Sequence, residues 1–215
     1  MAARDYGQYS GITRAMELVG ERWALLIVRD LLVGPRRYGE LAAGLPRIPS
    51  NILAARLKEL QAAGVIRRAP RSRVIVYELT PYGRELEPVV LALGAWGFRA
   101  LGEPREDQVI TPDSFTMDLR AAFRRDVALA LPATAYGARS GETELLIRVD
   151  GSRLDVSRGF GAVDLAFAVD GAAGLRRLLS GEREAERAIK AGEVEVLNGQ
   201  ETLLGRFSTT FNLAA

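Results

Sequence analysis

Cysteine and histidine are both absent from the 215-residue chain, and lysine occurs only twice, at Lys58 and Lys190. Without a thiol there is no disulfide, no thiolate nucleophile, no Cys-metal site and no thiol redox sensor. Without an imidazole there is no Ser-His-Asp triad, no Cys-His pair and none of the usual His-based zinc or iron sites. An enzyme would have to work with carboxylates, Tyr, Arg or the two lysines. The expectation is therefore a chain that is not an enzyme and carries no catalytic residue, metal or cofactor. Long apolar runs are missing too: stretches such as Ala24–Val28 fall far short of the roughly 18 residues that cross a bilayer. The opening MAARDYGQYSG has neither an apolar stretch of about 7–15 residues nor a cleavage pattern, so the expected location is the cytoplasm, with no membrane partner.

What is present is an ordinary globular composition, 48% apolar and 26% charged, at a length that allows one large domain or two small ones. The net charge of +2 hides an asymmetry. Residues 1–100 hold 15 Lys and Arg against 9 Asp and Glu, and the remainder holds 14 against 18. A basic first half is suited to a polyanion, although two unremarkable surfaces would give the same count.

The stretch GEPREDQVITPD combines Gly102, Pro104 and Pro112 with Glu103, Arg105, Glu106 and Asp107, which is linker composition. The expected organisation is a first domain over 1–102, a linker over 103–113 and a second domain over 114–215. The first domain reads as a helix at 11–19 and another from Glu21 to Val33 that Gly34 and Pro35 stop. A third helix follows, with Tyr38, Leu41 and Leu45 at helical spacing. After the connector Pro46-Arg47-Ile48-Pro49, Ser50 or Asn51 can cap a fourth helix, in which Leu53, Leu57 and Leu60 share one side up to Ala63. That is a helix-turn-helix. Residues 65–68 and 74–79 read as strands joined by Ala69-Pro70-Arg71-Ser72-Arg73, a basic-tipped wing. Thr80 and Pro81 then open a long helix striped by Leu86, Val89, Val90, Leu93 and Trp96. In the second domain, one helical face joins Phe115, Leu119, Phe123, Val127 and Ala130. Strands are expected at 145–149, 154–156, 163–169 and 194–196, helices at 172–180 and 183–191, and an amphipathic tail carries Phe207, Phe211 and Leu213. The fold class is α+β.

A recognition helix enters the major groove by its N-terminal end, which turns Ser50, Asn51 and Ala54 toward base edges and leaves Arg56 and Lys58 to phosphates. Asn51 can equally be a plain helix cap, and Arg56 can equally sit in a salt bridge. Arg71 and Arg73 flank a tip with no apolar side chain to bury, where they either follow a minor groove and its phosphates or form a solvated turn. Arg36 and Arg37 stand at the start of the third helix, where positive charge opposes the helix dipole unless an anion offsets it. Gly159-Phe160-Gly161 lacks the third glycine of a dinucleotide fingerprint, and the charges of 182–187 read as a solvated face.

The stretches AMELVGERWALLIVRDLLVGPRRYGEL, NILAARLKELQAAGVIRR and VYELTPYGRELEPVVLALGAWG resemble the HxlR-type winged-helix transcription regulators of bacteria, across nearly the whole first half. The resemblance implies a homodimer meeting through the opening helix and the long helix after the wing, bound to a double-stranded DNA operator with two half-sites. Repressor is the expected role. Relatives often carry a cysteine near the N-terminus, where this chain has Tyr9-Ser10-Gly11. The stretches ELLIRVDGSRLDVSRG, VDLAFAVDGAAGLRRLLSGE and AIKAGEVEVLNGQETLLGRF are similar to a sterol carrier protein type 2-like domain. That resemblance implies helices packed on a sheet around an apolar tunnel for a hydrophobic small-molecule effector. Phe115, Phe123, Leu146, Phe160, Phe167, Leu179, Phe207 and Phe211 would be the residues able to line it, although core and tunnel share one composition. The alternative is a ligand-free dimerisation or protein-interaction module.

Overall fold

Apolar side chains recurring every third or fourth residue fold the first part of the chain into short helices. In a computed structural model that describes residues 5–213, the chain divides into two units, one ending at Val90 and the other beginning at Leu91. Residues 1–4 and 214–215 of the expected domains lie outside the described residues.

The first unit runs α1 (Gly11–Val19), α2 (Ala24–Val33), α3 (Tyr38–Gly44), α4 (Ser50–Ala62), β1 (Ile66–Arg71), β2 (Val74–Leu79) and α5 (Pro81–Arg84). Its core gathers Ile27, Val28 and Leu31 of α2, Leu41 and Leu45 around α3, Leu53, Leu57 and Leu60 of α4, and Ile66, Val76 and Leu79 of the hairpin. Four local readings are corrected. Helix α2 starts at Ala24 rather than Glu21, because Trp23 is held in the left-handed region at φ 80° and cannot continue a helix. Neither Ser50 nor Asn51 caps α4: extended Pro49 precedes it, and no side chain caps the first turn. The wing strands pair as far as Arg71 with Val74, which leaves a two-residue turn of Ser72 and Arg73 instead of a five-residue loop. The long helix is interrupted after Arg84 and resumes as α6 (Glu87–Phe98). Pro88 lacks the N–H that would reach back to Arg84 and its ring crowds that carbonyl.

Gly83 of α5 has a clear backbone role. Thr80 Oγ accepts from the Gly83 N–H at 3.0 Å and donates to the Gly64 carbonyl at 2.6 Å, drawing α5 onto the start of β1. A Cβ on Gly83 would stand 2.0 Å from the Val65 carbonyl oxygen.

The second unit continues with α7 (Pro112–Ala122), α8 (Arg125–Leu129), β3 (Thr134–Ser140), β4 (Thr143–Asp150), β5 (Arg153–Arg158), β6 (Leu165–Val169), α9 (Gly171–Ser180), α10 (Ala185–Lys190), β7 (Val194–Gly199) and α11 (Thr202–Thr210). One sheet has the order β5-β4-β3-β6-β7, with β3 and β6 parallel and the other pairs antiparallel. The architecture is α+β. Most of 103–111 is irregular, yet Glu103 is gripped by Arg177 and Arg176 at 3.0–3.1 Å and Thr143 Oγ donates to the Ile110 carbonyl at 3.1 Å. The pairing with Arg177, and secondarily Arg176, holds the Glu103 carboxyl below its ordinary range. The expected single helix over 115–130 is two, since Phe123 turns extended and forms a bridge with Phe211.

The eight side chains expected to line a tunnel do not surround one space. Phe115, Phe167, Leu179, Phe207 and Phe211 are fully buried in one core. Phe207 lies with ring centroids 4.9 Å from Phe167 and 4.6 Å from Phe211, and Phe123 packs at 5.7 Å from Phe211. Alternation along β4 puts Leu145 and Ile147 on that helix-covered side and Leu146 on the other. Phe160 also lies on the other side: its ring covers Gly137, where a Cβ would stand 3.3 Å from it.

Gly83→Ala is expected to lower the unfolding free energy by about 1–3 kcal/mol through overpacking. Gly205→Ala, where a Cβ meets nothing within 4 Å, should be neutral or stabilising by up to about 1 kcal/mol. Urea titration of both variants checks this, and an unchanged midpoint for Gly83→Ala would contradict the close approach.

Candidate nucleic-acid interface

Leucine spacing decides which side of α4 faces out. Leu53, Leu57 and Leu60 are buried, so Ser50, Asn51, Ala54 and Lys58 form one exposed stripe. The side chains of Asn51 and Lys58 hydrogen-bond to no described residue. Tyr38, grouped by spacing with the buried Leu41 and Leu45, is instead exposed. Its hydroxyl donates to the Ser50 carbonyl at 2.9 Å, tying the start of α3 to the start of α4.

Arg56 is not part of the stripe. Its side chain is only 12% exposed and pairs with Glu21 at 3.1 Å and with Glu59, so its charge is met within the chain. Glu21 was not singled out by sequence, because an ion pair across 35 positions leaves no local pattern. The pair links the turn before α2 to the middle of α4.

The basic residues of the wing fall into two classes. Glu78 is buried between Arg67 at 2.7 Å and Arg71 at 2.9 Å. Hydrogen bonds from Arg71 and then Arg67 hold its carboxyl below the ordinary range. Arg71 thus lies back along the hairpin, whereas Arg73 is exposed at the tip and pairs with no described residue. Arg36 is half-buried, and its backbone exchanges hydrogen bonds with Tyr77 at 3.0 and 2.7 Å, adding an extended segment beside β2. Arg37 is exposed at the start of α3, where its N–H donates to Glu40 at 2.6 Å.

Around the head of α4, a cleft of about 290 Å³ is lined by Arg22, Trp23, Arg47, Pro49, Ile52 and Arg56. Arg22 lies 5.1 Å from the Trp23 ring centroid. The exposed Arg22 and Arg47 flank the end of α4 that carries Asn51. Sequence reading passed over both, although an arginine inside the Pro46–Pro49 connector was a usable signal. Together these residues form a polar, basic surface with no cluster of metal-ligating groups among the described residues. Such a surface can bind and orient a polyanion.

Residues 18–104 match the HxlR-like helix-turn-helix family. Over 96 residues the chain is 43% identical to the uncharacterized HTH-type transcriptional regulator Rv3095 of Mycobacterium tuberculosis, covering 43% of this chain. The chain spans 60% of that relative's length. Over 86 residues it is 38% identical to the uncharacterized HTH-type transcriptional regulator YvaP of Bacillus subtilis, covering 39% of this chain and 80% of YvaP. The structure of the reduced form of the transcriptional regulator YodB from B. subtilis aligns at 33% identity and a TM-score of 0.38, covering 43% of this chain and 94% of its own.

Because the Glu78 carboxyl is held low, its stabilisation is present above the ordinary carboxylate range and is lost as pH falls through the lowered value. The melting temperature of the native chain should exceed that of Glu78→Gln at neutral pH, with the gap closing in acid. A gap independent of pH would contradict the pairing.

Proposed function

The chain belongs to the HxlR-like helix-turn-helix family, a family of transcriptional regulators rather than enzymes, and from that premise we propose that it is a homodimeric, sequence-specific DNA-binding repressor whose second unit senses a hydrophobic small molecule. The observation that carries the DNA reading is the outward stripe of α4, with Asn51 uncommitted at its head and Arg73 uncommitted at the wing tip. In this reading Ser50, Asn51 and Ala54 meet base edges, while Lys58, Arg37, Arg73 and the newly placed Arg22 and Arg47 meet phosphates. Arg36 and Arg71 contribute less, being half-buried and paired respectively.

Dimerisation is supported by apolar side chains left in water. Ile12 of α1 is 74% exposed and Met16, one turn on, is exposed as well; Val89, Leu93 and Trp96 make an outward row on α6, with Trp96 66% exposed. Two half-sites about 34 Å apart tolerate little change in the separation of the two recognition helices. An effector that favours one separation by about 1–3 kcal/mol would shift occupancy roughly 5- to 150-fold. The sterol-carrier-like reading of the second unit is supported by helices covering one face of its sheet. The close packing of Phe115, Phe167, Phe207 and Phe211 favours a second reading, in which this unit is a ligand-free dimerisation or protein-interaction module.

Fluorescence anisotropy on a duplex selected from random-sequence DNA tests the assignment. Arg73→Ala is expected to lower the slope of log affinity against log salt by about one, and Arg71→Ala by less. Asn51→Ala should relax sequence preference by about 1–3 kcal/mol. Equal losses on selected and random DNA would remove Asn51 from base contact, and an unchanged slope for Arg73→Ala would remove the wing.

A further inference from the structure

The sensing reading needs a place for the effector. A cleft of about 200 Å³ does stand in the second unit, at the C-terminal end of α6, lined by Phe98, Arg99, Leu101, Arg176, Ser180, Glu182 and Leu213. Its walls combine apolar surface from Phe98, Leu101 and Leu213 with two guanidinium groups.

Arg176 is unusual among these. Its two terminal nitrogens are engaged by Glu182 at 2.6 Å and Glu103 at 3.0 Å, while its Nε is buried with no hydrogen-bond acceptor. Arg176 is thus occupied by its ion pairs, and the charge open to a ligand in the cleft comes from elsewhere. Arg176, Arg177 and Arg183 are matched by Glu103, Glu182 and Glu193. Arg99 is exposed, pairs with no described residue and leaves the cleft with one positive charge over.

Resting on the sensing reading, we propose that this cleft binds a small monocarboxylate with an apolar body, its carboxylate meeting Arg99 and its body lying on Phe98, Leu101 and Leu213. The volume sets the size. Drug-sized ligands take about 300–1,000 Å³, so the cleft suits a single ring or a chain of about eight carbons and excludes sterols and long acyl chains. Phe98 is the last residue of α6, whose outward row is Val89, Leu93 and Trp96. A ligand that orders this end of the helix therefore acts on the element offered to the partner copy.

Calorimetric titration of the full chain with octanoate, and with octanol as its uncharged counterpart, tests the proposal. Octanoate should bind saturably at one site per chain, with octanol weaker by about tenfold or more. Arg99→Gln and Leu101→Glu alter exposed positions, so both should melt like the native chain without ligand, and each should weaken octanoate by about tenfold or more. Equal binding of octanoate and octanol, native-like binding by both variants, or no binding at millimolar octanoate would overturn the cleft. Should octanoate fail while native mass spectrometry finds another molecule retained by the chain, the cleft falls and the sensing reading stands. Octanoate binding that leaves DNA occupancy unchanged would keep the cleft and overturn the sensing reading.

Discussion

Burial of the row Leu53, Leu57 and Leu60 is the constraint on which the proposed DNA-facing surface depends. Each fully buried leucine contributes about 1.5–3 kcal/mol, whereas a solvated polar contact on the opposite side of the helix contributes tenths. The leucines therefore win the choice of rotation, and the polar residues take the side that is left. Had the row been shifted by one position, Ser50, Asn51, Ala54 and Lys58 would no longer share an outward stripe. The ion pair of Arg56 with Glu21 then holds α4 against the turn before α2, and the Tyr38 hydroxyl holds its first residue against α3. The proposed interface is thus a surface left over by packing and fixed in place by a few polar ties.

The second unit follows the same logic on a sheet. Period-two alternation places Tyr136, Ala138, Leu145, Ile147, Leu165 and Phe167 on one side, and helices cover that side. The aromatic rings there pack edge to face and at tilted angles. Space for a small molecule occurs beside charged groups near Arg176.

Much of this architecture was legible in the sequence. Helical spacing located α1, α4 and α9, turn residues located the wing and the β4–β5 hairpin, and the leucines named the buried side of α4. Strand β3, central in its sheet, was passed over because Ala135, Gly137, Ala138 and Arg139 have little strand preference and are set by neighbours on both sides. The breaks at Glu85–Leu86 and at Phe123 were missed because apolar periodicity continues across both, while backbone chemistry and the pairing with Phe211 do not. The commitments of Arg56 and Arg71 depended on Glu21 and Glu78, distant or cross-strand partners that only the folded chain brings near. The grouping of eight tunnel-lining residues divided for a related reason: Leu146 and Phe160 look like the other apolar residues in sequence, and only sheet pairing tells which side they face.

The central claim is that two copies of α4 read two half-sites of one operator. A nuclease-protection footprint of the full chain on a duplex selected from random-sequence DNA tests it most directly. The prediction is two protected half-sites related by two-fold symmetry, with centres about 10 base pairs or a multiple apart. Protection confined to a single half-site, or protection that tracks total DNA without sequence preference, would contradict it.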